Sequence, residues 1–297
     1  GASVDRAMED GATPLYVACA NEHLEVAVAL LDRGASVDQA RRDGETPLYI
    51  ACRNGHLEVA SLLLDRGASV DHEARDGWTP LYVASAKGHK EVVEALLARG
   101  AAVDHKRGDG TTPLYVACLA GCVAVVERLL DGGAAIDRAA ADGTTPLFTA
   151  SLNGHVRVAE VLLDRGASVD RAMEGGETPL WVACKDGHLD VASLLLARGA
   201  SVDRAKDDGA TPLWIASARG RLAVAKLLLE RGASVDQATT DGWTPLHASC
   251  FRGHLEVASL LLGRGASVDR AASVATWRWR RCCWAEGRAS PERTGSV

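Results

Sequence analysis

The chain has 297 residues, 47% of them apolar, enough to bury a large core and well outside a disordered composition. Its 33 basic and 39 acidic side chains give a formal charge of −6, which counts against nucleic acid as a partner; residues 271–297, with five arginines and two glutamates, carry +3, leaving −9 on residues 1–270. No apolar run is long enough to span a bilayer and no signal peptide opens the chain, so it reads as soluble, and the missing initiator Met of "GASVD" leads us to expect sequence upstream of Gly1.

Thr-Pro-Leu recurs at Thr13, Thr46, Thr79, Thr112, Thr145, Thr178, Thr211 and Thr244, a period of 33 residues without insertion that defines repeats 1 to 8. Repeat 1 departs from the others at Glu22, where they have Gly, which weakens its turn. Repeat 2 is typical and begins at Asp38: "DQARRDGETPLYIACRNGHLEVASLLLDRGASV". Asp43-Gly44 makes a turn, Thr46 caps a first helix, and Pro47 fills the first helical position, where a missing N–H costs nothing. Gly55 is placed to end that helix in the left-handed conformation. A second helix then runs through Leu57, Ala60, Leu63 and Leu64 until Gly67 stops it. Two helices this short cannot bury their apolar faces alone, so each unit must stack on its neighbours in an open solenoid. After Arg270 the next "DGxTPL" never arrives.

The pattern of "TPL" opening the first helix and Gly-His at the helix–helix turn resembles the ankyrin-repeat family over about residues 1–270. The resemblance implies an all-α ankyrin-repeat solenoid of helix-turn-helix units joined by β-hairpin loops. It also implies target binding on the concave face formed by hairpin tips and first helices. One departure is systematic. The family's His after "TPL" is replaced by Tyr16, Tyr49, Tyr82, Tyr115, Phe148, Trp181 and Trp214, and only His247 keeps it. The usual His-to-Thr hydrogen bond is thereby lost from seven repeats, and aromatic stacking between repeats is expected in its place.

Three ladders of chemically capable residues run through the array. His23, His56, His89, His155, His188 and His254 lie about 10 Å apart from repeat to repeat, too far to share a metal whose ligands lie within about 2.1 Å. They are expected to hydrogen-bond to the helix–helix turn, and Cys122 and Arg221 replace them in two repeats. Cys19, Cys52, Cys118, Cys184 and Cys250 alternate with Ser at one position, which marks a small buried helix site with free thiols and a reducing compartment. Asp5, Asp38, Asp71, Asp104, Asp137, Asp170, Asp203, Asp236 and Asp269 occupy equivalent environments, unlike a catalytic pair, and are expected to make Asx-type bonds within their own hairpins. No phosphate-cradling loop, nucleophile elbow or zinc-binding Cys pair is present, so we expect no enzyme, cofactor or metal.

Positions shared by all repeats make the frame, so information about a partner must sit where the repeats differ. At the tips these positions include Arg42, Glu45, Arg75, Trp78, Lys106, Glu174, Glu177 and Trp243. On the first helices they include Arg53, Lys87, Leu119, Leu152, Lys185, Arg219, Phe251 and Arg252. Trp78 and Trp243 are the best candidate anchors, since Trp and Arg are enriched at interface hot spots; the alternative is that each covers its own hairpin. Arg42, Arg75 and Lys106 would form a basic strip about 20 Å long favouring an acidic peptide, or else a solvated charge run. The expected function is a non-catalytic, monomeric scaffold for a protein or peptide partner, cytoplasmic or nuclear. The alternative is a targeting module of a larger multidomain enzyme, such as a kinase or ubiquitin-ligase subunit.

The tail contains "TWRWRRCCW", Thr276 to Trp284, which reads in two ways. Trp with Arg suits a membrane interface, although no helical apolar face is present. Alternatively, the shifted reading frame of Cys282-Cys283-Trp284 forces two leucines, and synonymous choices permit "VAVASLLLGRGASV" against "VASLLLGRGASV" in repeat 8. On that second, favoured reading the tail is a second helix translated out of frame, disordered and functionless.

Overall fold

The computed structural model of the chain describes residues 4–268, so the expectations for Asp269 and for the tail over residues 271–297 lie outside the described residues. The array falls into two compact units, one ending at Glu174 and the other starting at Gly175. The first holds the first helices Pro14–Ala20, Pro47–Asn54, Pro80–Lys87, Pro113–Ala120 and Pro146–Leu152, alternating with the second helices Leu24–Asp32, Leu57–Asp65, Lys90–Ala98, Val123–Asp131 and Val156–Asp164. The other holds Pro179–Asp186, Pro212–Ala218 and Pro245–Arg252, alternating with Leu189–Ala197, Leu222–Glu230 and Leu255–Gly263.

Every first helix starts the same way. The Oγ1 of Thr46 accepts the Tyr49 amide at 3.1 Å with Pro47 at the first position, and the threonine of each other repeat does the same three residues on. These threonines are buried, where the cap supplies a partner for an otherwise orphaned amide and is worth about 1 kcal/mol. At the other end Gly55, with φ of 81°, donates to Ala51 and Cys52 carbonyls. Helices of seven to nine residues do not persist alone in water, so their stability comes from stacking. Leu48, Leu81, Leu114 and Leu147 of successive first helices are fully buried with Val59, Leu63, Val93, Leu96, Val126 and Leu129 of the second helices, a core running the length of the unit.

Among the described residues the hairpin loops contain no strand. A tip is closed by Arg41 N–H donating to Glu45 O at 2.9 Å around Gly44 N–H to Arg41 O at 3.0 Å, too short a loop to extend into a ladder. In repeat 3 the tip tightens into the 3-10 turn Arg75–Gly77.

Repeat 1 carries the expected defect. Glu22 sits at φ 60°, a region in which a side chain with Cβ is strained by about 1–2 kcal/mol. Against this, its carboxylate makes an exposed contact with His56 Nδ1 at 3.4 Å. Glu22→Gly is therefore expected to stabilise the first two repeats by about 1 kcal/mol, read from amide exchange in Leu24–Asp32. Faster exchange would mean that the His56 contact outweighs the strain.

Candidate functional site

Three sets of bonds fix one repeat against the next and so place the tips. The first corrects an expectation. Both carboxylate oxygens of Asp5, Asp38, Asp71, Asp104 and Asp137 accept an amide 31 residues on, from Ser36, Ser69, Ala102, Ala135 and Ser168, at 3.0–3.3 Å. Asp203 and Asp236 hold Ser234 and Ser267 in the same way. This aspartate is a clamp on the following repeat, because the amide just past each second helix has no partner within its own turn. The Asx-type bonds belong instead to the Asp of Asp-Gly: Asp10, Asp43, Asp109 and Asp142 each accept the amide two residues on. In the second set, neighbouring tips bond to each other. Arg42 N–H donates to Asp10 O at 3.1 Å, Arg75 to Asp43 at 2.9 Å, Ala141 to Asp109 at 2.9 Å and Glu174 to Asp142 at 3.1 Å.

The histidines form the third set. His56, His89, His155 and His254 each donate through Nε2 to a carbonyl at the end of the preceding first helix, Ala20, Arg53, Leu119 and Ala218, at 3.1–3.3 Å. Arg221 substitutes by donating through Nε to Lys185 O at 3.2 Å. The cysteine position is buried at Cys19, Cys52, Cys118 and Cys184, where burial pushes the thiol up, to about 12 at Cys19. Cys250 departs from the expectation: it is exposed, because no described repeat follows repeat 8 to cover it.

The aromatic residue after "TPL" does not stack between repeats. In four repeats its polar edge reaches the next tip, 29 residues on, whereas Phe148 has no polar edge and the buried Trp214 Nε1 has no hydrogen-bond partner among the described residues. Tyr16 OH donates to Glu45 Oε2 at 2.6 Å and Trp181 Nε1 to Ala210 O at 3.0 Å; the Tyr82 and Tyr115 hydroxyls pair with those of Thr111 and Thr144 at 3.0 and 3.3 Å. Repeats about 10 Å apart are too far separated for rings to stack at 4.5–7 Å, whereas a hydroxyl spans the gap. The ring pairs Trp78–Tyr82, Trp243–His247 and Trp243–Phe251 each lie within one repeat. Burial, reinforced by the Glu45 hydrogen bond, pushes the Tyr16 phenol up to about 12.

His247 alone keeps the bond back to its cap, with Thr244 N–H donating to Nδ1 at 3.3 Å and the Thr244 hydroxyl 2.8 Å from the same atom. Burial lowers its pKa, outweighing the Asp236 carboxylate. A histidine with a lowered folded-state pKa contributes stability that is present above its ordinary value of about 6.5 and lost as pH falls through the folded value. Protection of the Pro245–Arg252 amides, taken relative to their intrinsic exchange rates, is accordingly expected to fall from pH 7 to pH 5 more than in Pro113–Ala120, and His247→Tyr, the residue of repeats 1 to 4, should remove the difference. An equal loss of protection in the variant would refute this.

Within each unit the tips meet their own first helices. Arg53 Nη1 on a first helix meets Glu45 Oε1 on its tip at 2.6 Å, and Phe251, at the equivalent helix position, meets the Trp243 ring at 5.4 Å. The sixteen sequence-predicted residues divide by exposure. Arg42, Arg75, Lys87, Lys106, Leu119, Glu174, Arg219, Phe251 and Arg252 are exposed. Arg252 lies over the Phe251 ring at 5.7 Å. Leu152, Lys185 and Trp243 are half-buried, and Lys185 gives its carbonyl to Arg221. Glu45, Arg53, Glu177 and Trp78 are engaged internally. Glu45 holds Tyr16, Arg41 and Arg53; Glu177 meets Lys206 at 3.6 Å; Trp78 packs edge-on against Tyr82 under the Arg107 guanidinium at 4.9 Å.

The sequence reading missed Arg41, Arg107 and Lys206. These cations lie 4.9–5.5 Å over the rings of Tyr16, Trp78, Tyr82 and Trp181. The available signal was a Lys or Arg 25 residues after the aromatic that follows "TPL".

Short helix pairs stacked at a fixed period, with hydrogen-bonded tips and no strand among the described residues, define a repeat solenoid. The family model described as "Ankyrin repeats (3 copies)" matches residues 1–74, 36–107, 69–140, 99–173, 132–206, 166–239 and 202–272. The chain belongs to the ankyrin-repeat family. Among solved structures it is similar to the human ASB11 ankyrin repeat domain, at 30% identity and a TM-score of 0.69, covering 75% of this chain and 99% of that one. No curated protein sequence matches it. Ankyrin repeats are generally protein-interaction modules, and the fold is typically non-catalytic. No helix among the described residues is long and apolar enough to cross a membrane.

Proposed function

We propose that the chain is a non-catalytic scaffold that binds a protein partner across the face formed by its tips and first helices, the concave face of the family. One observation carries this reading: shared polar residues are consumed in bonds between repeats, while Arg42, Arg75, Lys87, Lys106, Leu119, Arg219, Phe251 and Arg252 differ between repeats and stay exposed on or beside that face. Phe251, 56% exposed beside Trp243 and Arg252, has the character of an anchor. The scaffold acts as a monomer inside the cell, in cytoplasm or nucleus, a placement supported by the buried free thiols Cys19, Cys52, Cys118 and Cys184.

A photo-crosslinking residue introduced at Leu119 or Phe251 should capture a partner in cells, whereas one at Arg157 on a second helix should not. Capture from Arg157 alone would overturn the reading. A second reading, the targeting module of a larger enzyme, draws support from the similar structure, which is itself a repeat domain. A catalytic domain encoded next to the array in the transcript would establish it.

A further inference from the structure

In repeats 2 to 4 the cations are of two kinds. Arg41, Arg53 and Arg107 are paired within the frame, to Asp10, Asp43 and Glu45, to Glu45, and to Asp109. Arg42, Arg75, Lys87 and Lys106 are exposed, and among the described residues none of them has a carboxylate at ion-pair distance. Among the described carboxylates of these tips, Asp43 and Asp109 accept the amides of Glu45 and Thr111 besides their arginines, and Glu73 lies 3.4 Å from His105 Nε2.

The unspent cations are also bounded. The tip-to-tip ladder puts Arg42 and Arg75 in one register, each donating its amide to the Asp of the preceding tip. In that register along the first unit stand Glu9, Arg42, Arg75, Gly108, Ala141 and Glu174, so the positive stretch is closed by an exposed glutamate on either side. Lys106 extends it onto the repeat 4 tip. A long polyanion such as nucleic acid would lie across both glutamates, whereas a short acidic segment would not. Leu119, 48% exposed, lies on the first helix of repeat 4 at the position by which Arg53 and Phe251 face their own tips, so an apolar contact adjoins the end of the basic stretch.

We propose that repeats 2 to 4 bind an extended acidic segment of a protein partner, with a carboxylate at about every third residue and an apolar residue at its repeat 4 end. The spacing follows from repeats about 10 Å apart and a polyproline-II-like extended chain, which advances about 3.1 Å per residue and returns every third side chain to one face. This assignment rests on the reading of the tip and first-helix face as the partner surface.

The test is fluorescence anisotropy with the whole chain and a labelled synthetic peptide that carries Glu at every third position and ends in Leu-Leu. Binding is expected, weakening as salt is raised, because exposed pairs are screened beyond about 8 Å at physiological ionic strength. The triple variant Arg42→Glu, Arg75→Glu, Lys106→Glu should lose about tenfold or more, and Leu119→Ser a few-fold. The matching Gln variants, with unchanged circular dichroism, should show an intermediate loss. Absence of binding, or equal binding by the triple variant, overturns the proposal. So does single-stranded DNA that binds as tightly and is lost in the same variants. If the peptide fails while Phe251 still cross-links a partner, the acidic segment is wrong and the binding face stands; if both fail, both fall.

Discussion

Replacing Gly110 by Ala is expected to destabilise the first unit by about 3 kcal/mol. Two effects add. The residue sits at φ 80°, where an L side chain costs about 1–2 kcal/mol. A Cβ there would lie 2.8 Å from Ala141 N and 3.2 Å from Ala140 C, atoms of the next tip's backbone that have no rotamer by which to give way. Overpacking of this kind typically costs a further 1–3 kcal/mol. Relief requires the repeat 4 and repeat 5 tips to part, which stretches the bond from Ala141 N–H to Asp109 O, now 2.9 Å. Amide exchange at Ala141 should accelerate first, and the urea midpoint of the chain should fall. Gly133 makes a control, since its φ of 88° is similar but a Cβ there meets nothing within 4 Å, so Gly133→Ala should cost only the backbone part, about 1–2 kcal/mol. Equal losses in the two variants would show that close approach of the tips contributes nothing. The same close approach recurs at Gly44, where a Cβ would lie 3.1 Å from Ala74 Cα and 3.2 Å from Arg75 N, and there it sets the spacing of Arg42 and Arg75 against any partner.

The frame was legible because its chemistry is local. A Thr before Pro caps a helix and a Gly after eight residues ends it, whichever repeat they occur in, and the structure places Thr46, Pro47, Gly55 and Gly67 as read. What was not legible is the direction of a polar side chain that recurs every 33 residues. Its partner lies equally well in its own unit or in the next one, and residue type does not choose. Asp38 and Asp43 are both aspartates of one tip, yet Asp38 clamps the following repeat at Ser69 while Asp43 closes its own turn at Glu45. The aromatics failed for a related reason. Area and propensity argue for stacking, but the repeat spacing leaves only the hydroxyl or indole N–H within reach of the next tip. At the candidate site, variation between repeats marks a set of tip and first-helix positions but not which charges among them are free. Arg42 and Arg41 are adjacent and chemically identical; one points to solvent and the other is held by Asp10, Asp43 and Glu45 over the Tyr16 ring.

Glu45 and Arg42 give the sharpest separation of frame from surface, since both vary between repeats and both sit on the repeat 2 tip. Glu45, only 13% exposed in its side chain, accepts from Tyr16 OH at 2.6 Å and meets Arg53 at 2.6 Å and Arg41 at 3.4 Å. Glu45→Ala removes the acceptor of a buried phenol and the counter-charge that Arg53 has among the described residues, while Arg41 retains Asp10 and Asp43. Breaking a fully buried pair costs about 3–5 kcal/mol, but Arg53 is 36% and Arg41 24% exposed, so about 2 kcal/mol is expected here. The Tyr16 phenol, pushed up to about 12 by burial and then by this hydrogen bond, should titrate lower in the variant, which absorbance near 295 nm will read as an order-of-magnitude check on the contact. Arg42→Ala, exposed and without an ion partner, should leave stability within about 0.5 kcal/mol and weaken only the acidic peptide. In Glu45→Ala the Arg53 guanidinium loses its counter-charge beside the basic stretch, so binding of that peptide should hold or strengthen as stability falls. Loss of binding in Glu45→Ala with stability unchanged would reverse the assignment and make Glu45 a partner contact.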